Sequence, residues 1–201
     1  MARHTGPKNK LARKIGEDLG LKTNALKVAK RLTILPGQHG AKGRRKISEF
    51  GKQLKAKQKV KYIYGILEKY LKRQYNEASK NPTATGAALL SLLERRLDNV
   101  VYRLGWAPTR AAARQIVGHS HIQINGRKMN IPSYQVKSGD VVMIKAKSTK
   151  SPYIAARLKE DQIIPAWLEA KGAAAKVLRL PEREDVKENI EEQLIVEYYS
   201  R

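Results

Sequence analysis

The first 82 residues carry 22 lysines and arginines against 5 aspartates and glutamates, and this one-sided charge limits the possible folds more than any other feature of the chain. Such a segment repels itself when compacted in water, so the sequence predicts a structure that a polyanion completes. The excess fades along the chain: residues 83–147 hold 10 basic and 3 acidic side chains, and residues 148–201 hold 9 and 10. The first two parts are therefore expected to meet phosphate. Binding should be tight at low salt and fall steeply as salt rises, because each neutralised phosphate releases condensed counterions. The balanced tail suits protein or solvent.

The length of 201 residues allows one modest core or two small ones. With no cysteine, a disulfide scaffold, a thiolate nucleophile and Cys-ligated zinc or iron are excluded. No apolar run approaches the roughly 18 residues of a membrane helix, and Met1 to Pro7 lacks the apolar centre of a signal sequence. One Phe and two Trp offer little anchorage to a lipid surface. The expectation is a soluble protein with no membrane partner, its redox compartment left open.

Residues 1–47 are punctuated by Gly6, Pro7, Gly16, Gly20, Pro36, Gly37, Gly40 and Gly43, and read as an irregular arm. Arg3, Lys8, Lys10, Arg13, Lys14, Arg44, Arg45 and Lys46 are its candidate phosphate contacts, and Leu11, Ile15 and Leu19 predict some burial. Ser48 suits the cap of a helical stretch to about Tyr75, with Gly65 as a weak point. Lys52, Lys55 and Lys59 share one face of it. After Asn81-Pro82, the residues Leu89, Leu93, Leu97, Val100, Val101 and Leu104 predict one apolar helix face ending at Gly105, with Arg96, Asn99 and Arg103 along an edge. Pro108-Thr109 opens a short helix in which Arg110 and Arg114 share a flank.

Ile122-Gln123-Ile124-Asn125-Gly126-Arg127-Lys128-Met129 alternates around Asn-Gly, the strongest short hairpin signal, and Val141 to Ile144 reads as a third strand. Further on, Lys171 to Ala175 reads as small and flexible, residues 182–192 are acidic, and Ile190 to Tyr199 predicts a terminal helix that docks on an earlier one. The expected fold class is α+β and mostly helical. The expected segments are 1–92, a basic arm and helical region; 93–155, a helix-helix-hairpin-strand module; and 156–201, the tail.

His4, His39, His119 and His121 are the histidines, and none stands in a catalytic frame. His119 and His121 are two apart, without the cysteines or carboxylates that would complete a metal site, and read as structural or RNA contacts, as does His39. The Gly37 to Gly43 loop lacks the Lys-Ser/Thr end of a nucleotide-binding phosphate loop. Neither a nucleophile elbow nor a dinucleotide fingerprint is present, so no enzyme and no cofactor is expected.

The module resembles the RNA-binding domain named after small-subunit ribosomal protein four, through Arg96-Leu97-Asp98, Gly105, Thr109-Arg110, Ala113-Arg114, Ile122-Gln123-Ile124-Asn125-Gly126 and Gly139-Asp140. Arg3-His4-Thr5-Gly6-Pro7-Lys8, Leu35-Pro36-Gly37-Gln38-His39-Gly40, Lys57-Gln58-Lys59-Val60 and Gln193 to Ser200 extend the resemblance to the bacterial-type ribosomal protein family itself, essentially end to end. That resemblance implies a primary rRNA-binding protein at a junction in the 5′ domain of small-subunit rRNA. It also implies a role in nucleating the subunit body, contact with small-subunit ribosomal protein five at an interface tied to decoding accuracy, and proximity to the mRNA entry channel. Carried over by position, Arg96, Arg110, Arg114, His119, Arg127 and Lys128 are its RNA-facing candidates. The zinc-binding cysteines of many relatives are absent from the arm. Where relatives commonly carry His-Gly-His, this chain has His119-Ser120-His121, so Gly118 is expected to end the helix.

Overall fold

A computed structural model describes residues 4–40, 46–81, 84–158 and 163–201. The fold is α+β and mostly helical, in two compact units: residues 1–86 with 189–201, and residues 87–188. These units follow contacts, whereas the division at 92 and 155 follows composition and charge.

In the first unit the basic arm contains two short helices that its glycines conceal in the sequence, α1 (Lys8–Ile15) and α2 (Ala25–Ala29). Leu11, Ala12 and Ile15 form the buried stripe of α1, and the Asn24 side chain accepts from Lys27 N–H to start α2. The Ser48 hydroxyl accepts from Gly51 N–H and opens α3 (Glu49–Ile63), as the sequence predicts. Gly65, at φ +62°, turns the chain into α4 (Glu68–Ala78), a backbone angle that a side chain would strain.

The last helix of the chain packs on α3, as expected. Tyr199 donates to Glu68 Oε1 at 2.8 Å and stacks on Tyr75 with ring centroids 4.8 Å apart. Gln53 donates to Glu197 at 2.9 Å, and Lys57 lies 4.5 Å from the centre of the Tyr198 ring. Burial pushes the Glu68 carboxyl up, but donation from Lys57, Tyr199 and Lys61 pulls it below the usual carboxylate range. Burial and the bond to Glu68 raise the Tyr199 hydroxyl.

The second unit takes in most of α5 (Thr85–Glu94), followed by α6 (Leu97–Arg103) and α7 (Arg110–Gly118). The single long helix expected from Leu89 to Leu104 is broken at residues 95–96. Arg96 is extended and pairs with Gln135, while Leu97 and Asp98 donate their N–H groups to Tyr134 and Pro132 carbonyls. A crossing segment thus satisfies the first donors of α6, which the apolar periodicity could not reveal.

Thr109 caps α7 by accepting from Ala112 N–H. The helix ends at Gly118 as expected, but the glycine is not the residue in the left-handed conformation that closes it. Ser120 takes the left-handed position at φ +63°. Ser120 N–H reaches Val117 O and His121 N–H reaches Ile116 O, the paired closure in which glycine usually holds that position.

The sheet is antiparallel, in the order β2 (Arg127–Met129), β1 (Ile122–Ile124), β3 (Val141–Ile144), β5 (Ala174–Val177), β4 (Leu168–Lys171). Asn125 and Gly126 both have positive φ in the predicted hairpin turn. Asn125 donates to Asp140 at 2.9 Å and accepts from Val141 N–H at 2.9 Å, fixing the hairpin against β3. The segment Lys171 to Ala175, expected to be flexible, instead turns at Gly172 and enters β5. The run Ala174 to Val177 alternates, burying Ala175 and Val177 and exposing Lys176. Leu97, Val100, Val101, Ile116, Ile122, Val142, Trp167 and Val177 form the core beneath one sheet face.

Two short helices, α8 (Ala146–Thr149) and α9 (Pro152–Leu158), follow β3, and α10 (Glu192–Tyr199) is the docked terminal helix of the first unit.

Candidate nucleic-acid interface

In the first unit none of the predicted cations among the described residues is buried; Lys8, Arg13, Lys55 and Lys59 are half-buried and the others exposed. Lys10 and Lys14 project from α1, and His39 and Lys46 are open to solvent. Lys8 and Arg13 also work within the arm: Lys8 donates to the His4 carbonyl at 3.0 Å, and Arg13 donates to the Ile34 and Leu35 carbonyls at 2.8 and 3.0 Å. Lys52, Lys55 and Lys59 share a face of α3, the repeat of 3.6 residues placing them one above another. Lys52 reaches Glu49 at 2.6 Å and Lys59 reaches Glu17. Donation to Glu49 raises the Lys52 ammonium, which therefore stays charged. Arg3, Arg44 and Arg45 lie outside the described residues.

The second unit uses its cations differently. Arg96, Arg103, Arg110 and Arg114, expected to line RNA-facing edges, are all buried and bound to carboxylates or amides. Glu94, with none of its surface exposed, accepts from Arg103 Nε and Nη2 at 2.8 and 2.7 Å and from Asn99 at 2.7 Å. Asn99 in turn accepts from Arg110 Nε at 2.7 Å. Glu188 bridges Arg103 and Arg110, and Arg110 lies over the Tyr102 ring. Arg96 grips Asp98 with two bonds, and Arg114 lies 3.7 Å from the same carboxylate.

Burial pushes the Glu188 carboxyl up, but Arg110 and Arg103 outweigh it and hold the group at about 2. Burial alone would lower Arg103, but Glu94 and Glu188 raise it, so the guanidinium stays charged inside the fold. The helix-edge pattern could not foretell this burial, for a physical reason. A spacing of three and four residues places side chains on one flank, but it does not say whether acidic partners from Glu94 and from residue 188 will close over them.

Among the cations that the second unit leaves open are those of the hairpin and the outer sheet face. Arg127 and Lys128 are open on β2, and His119 is open at the end of α7. His121 is half-buried, with its Nδ1 2.8 Å from the Ser148 hydroxyl. The register sets Gln123 opposite both Lys128 and Met143, and Val141 opposite Lys176, so these side chains share the face away from the core. Lys176 was missed in the sequence, although the alternation of Ala174 to Val177 after Gly172 carried its signal.

Residues 3–94 match a family profile described as "Ribosomal protein S4/S9 N-terminal domain", and residues 95–142 match the "S4 domain". A Parabacteroides distasonis protein named small ribosomal subunit protein uS4 is 50% identical over 204 residues, covering 100% of both chains. Proteins of the same name from Chloroflexus aurantiacus and Bacteroides fragilis are 47% and 49% identical, again over 100% of both chains. The chain belongs to the uS4 family. This is a family of structural ribosomal proteins and not of enzymes. The S4 domain match of this uS4 chain stops at residue 142, within β3, while its sheet continues through β5 and β4.

Proposed function

We propose that this chain is a primary rRNA-binding protein that recognises a junction in the 5′ domain of small-subunit rRNA and helps nucleate the subunit body. It then works with small-subunit ribosomal protein five in decoding accuracy, near the mRNA entry channel. The coarser part follows from the family: a uS4 protein is a structural constituent of the small ribosomal subunit and binds its rRNA.

The observation that supports rRNA binding is the contrast in how the two units hold their cations. Phosphate neutralisation falls to the open side chains Lys10, Lys14, Lys46 and Lys52 and the half-buried Lys55 in one unit, and to Arg127, Lys128 and His119 in the other. Arg96, Arg103, Arg110 and Arg114 contribute by holding the module in the shape that presents its hairpin. Recognition is directed by RNA shape, because the deep, narrow major groove of A-form helices excludes side chains.

Footprinting small-subunit rRNA transcripts with and without the protein tests this. Protection confined to a junction of the 5′ domain is expected; protection spread evenly over the transcript contradicts the reading.

A further inference from the structure

The face of α3 that carries Lys52, Lys55 and Lys59 borders a cleft of about 210 Å³. Its apolar walls are Ile47, Ala56, Ile190 and Leu194, brought together from the segment before α3, the middle of α3, the segment leading into α10 and α10 itself. The cleft is smaller than the roughly 300–1,000 Å³ typical of drug-sized ligand sites, so it has room for one flat ring system and little more. Glu17 and Glu191 also border it, but Glu17 is engaged by Lys59. Lys52 reaches only the exposed Glu49, and Lys55 makes no ion pair among the described residues. The cleft thus joins an apolar interior to a cationic rim, the combination that suits an uncharged ring bearing a phosphate.

We infer that this cleft is a base pocket: it receives one unstacked nucleotide of the rRNA, with the ring against Ala56, Ile190 and Leu194 and a flanking phosphate at Lys52 and Lys55. The inference rests on the rRNA-binding reading above and adds a position at which a single base is held. A duplex keeps its bases stacked inside and cannot fill such a cleft, whereas a junction offers unstacked bases. The aliphatic walls have no hydrogen-bonding groups, so the pocket selects an unstacked base over a stacked one without reading its edge.

The first test is methyl NMR of the full chain, titrated separately with each nucleoside 5′-monophosphate and with inorganic phosphate. The pocket predicts that the methyl signals of Ala56, Ile190 and Leu194 shift with the monophosphates and not with phosphate. The second test fills the cleft with Ala56→Trp. Affinity for a small-subunit rRNA transcript should fall about tenfold, the loss of one base contact, with an unchanged slope of log affinity against log salt. Lys52→Ala with Lys55→Ala should instead flatten that slope by about two.

If Ala56→Trp does not fold by circular dichroism, Ala56→Leu and the methyl titration decide. Failure of the wild-type chain to bind the transcript overturns the rRNA reading itself. Normal wild-type binding, with silent methyls and full affinity in the filled variant, overturns only the pocket; it is also the result expected if a neighbouring protein's side chain occupies the cleft.

Discussion

The two units hold similar kinds of charge in opposite ways. The first leaves Lys10, Lys14, Lys46 and Lys52 in solvent and buries only Lys57 among its described cations. The second buries four arginines and satisfies them with Glu94, Asp98, Asn99 and Glu188. The difference teaches that a basic residue counts toward a polyanion's binding energy only when the fold has not already neutralised it. Exposed lysines are steered and screened by solvent ions. A buried guanidinium has lost its water and depends on the carboxylate beside it.

Removing one carboxylate from the second unit should have the greatest consequence. Glu94→Ala leaves Arg103 buried without its principal partner and should destabilise the fold by about 3–5 kcal/mol, read from urea denaturation. A loss below about 1 kcal/mol would show that the network is not what holds this unit.

Next in size is the acid limb of the stability curve. Glu188 is held at about 2 when folded, against about 4.3 in an unfolded chain. Because the folded group is the more acidic, its contribution is fully present above the unfolded value. It disappears as pH falls from about 4.5 through 2, and amounts to about 3 kcal/mol. Glu188→Gln should flatten stability between those limits, measured by denaturant titration at several pH values. An unaltered acid limb would mean that Arg103 and Arg110 do not grip this carboxylate.

A smaller contrast compares pairs of cations. Lys10→Ala with Lys14→Ala should flatten the salt dependence of RNA binding by about one to two while leaving stability within about 0.5 kcal/mol. Arg110→Ala with Arg114→Ala should do the reverse, lowering the urea midpoint and leaving the slope of the folded protein intact. Equal slopes and equal midpoints for both pairs would erase the distinction between the units.

The smallest expected effect concerns the end of α7. Ser120→Gly relieves a left-handed residue and should raise stability by about 1 kcal/mol, seen as a higher melting temperature. No gain would mean that the serine hydroxyl compensates for the backbone strain.

Much of the fold was legible because its signals are local. Asn125-Gly126 named the hairpin, Thr109 and Ser48 named helix starts, and Ile195, Tyr198 and Tyr199 marked a helix with a face to bury. The features that escaped depend on distant partners. The break at Arg96 exists because residues 132–135 cross there, and the burial of Arg103 and Arg110 exists because Glu188 returns to them from 85 and 78 residues away. Ser120 misled the reading of its corner, because the helix closure tolerates a non-glycine residue when two backbone bonds reward the geometry.

Shape-directed rRNA binding stands or falls on the affinity of the intact chain, across a range of salt, for a transcript of the 5′-domain junction and for an unrelated RNA duplex of equal length. Tighter binding to the junction at every salt concentration is expected, with affinity for both RNAs falling steeply as salt rises. Equal affinity for the two RNAs, or no binding to the junction in dilute buffer, would contradict it.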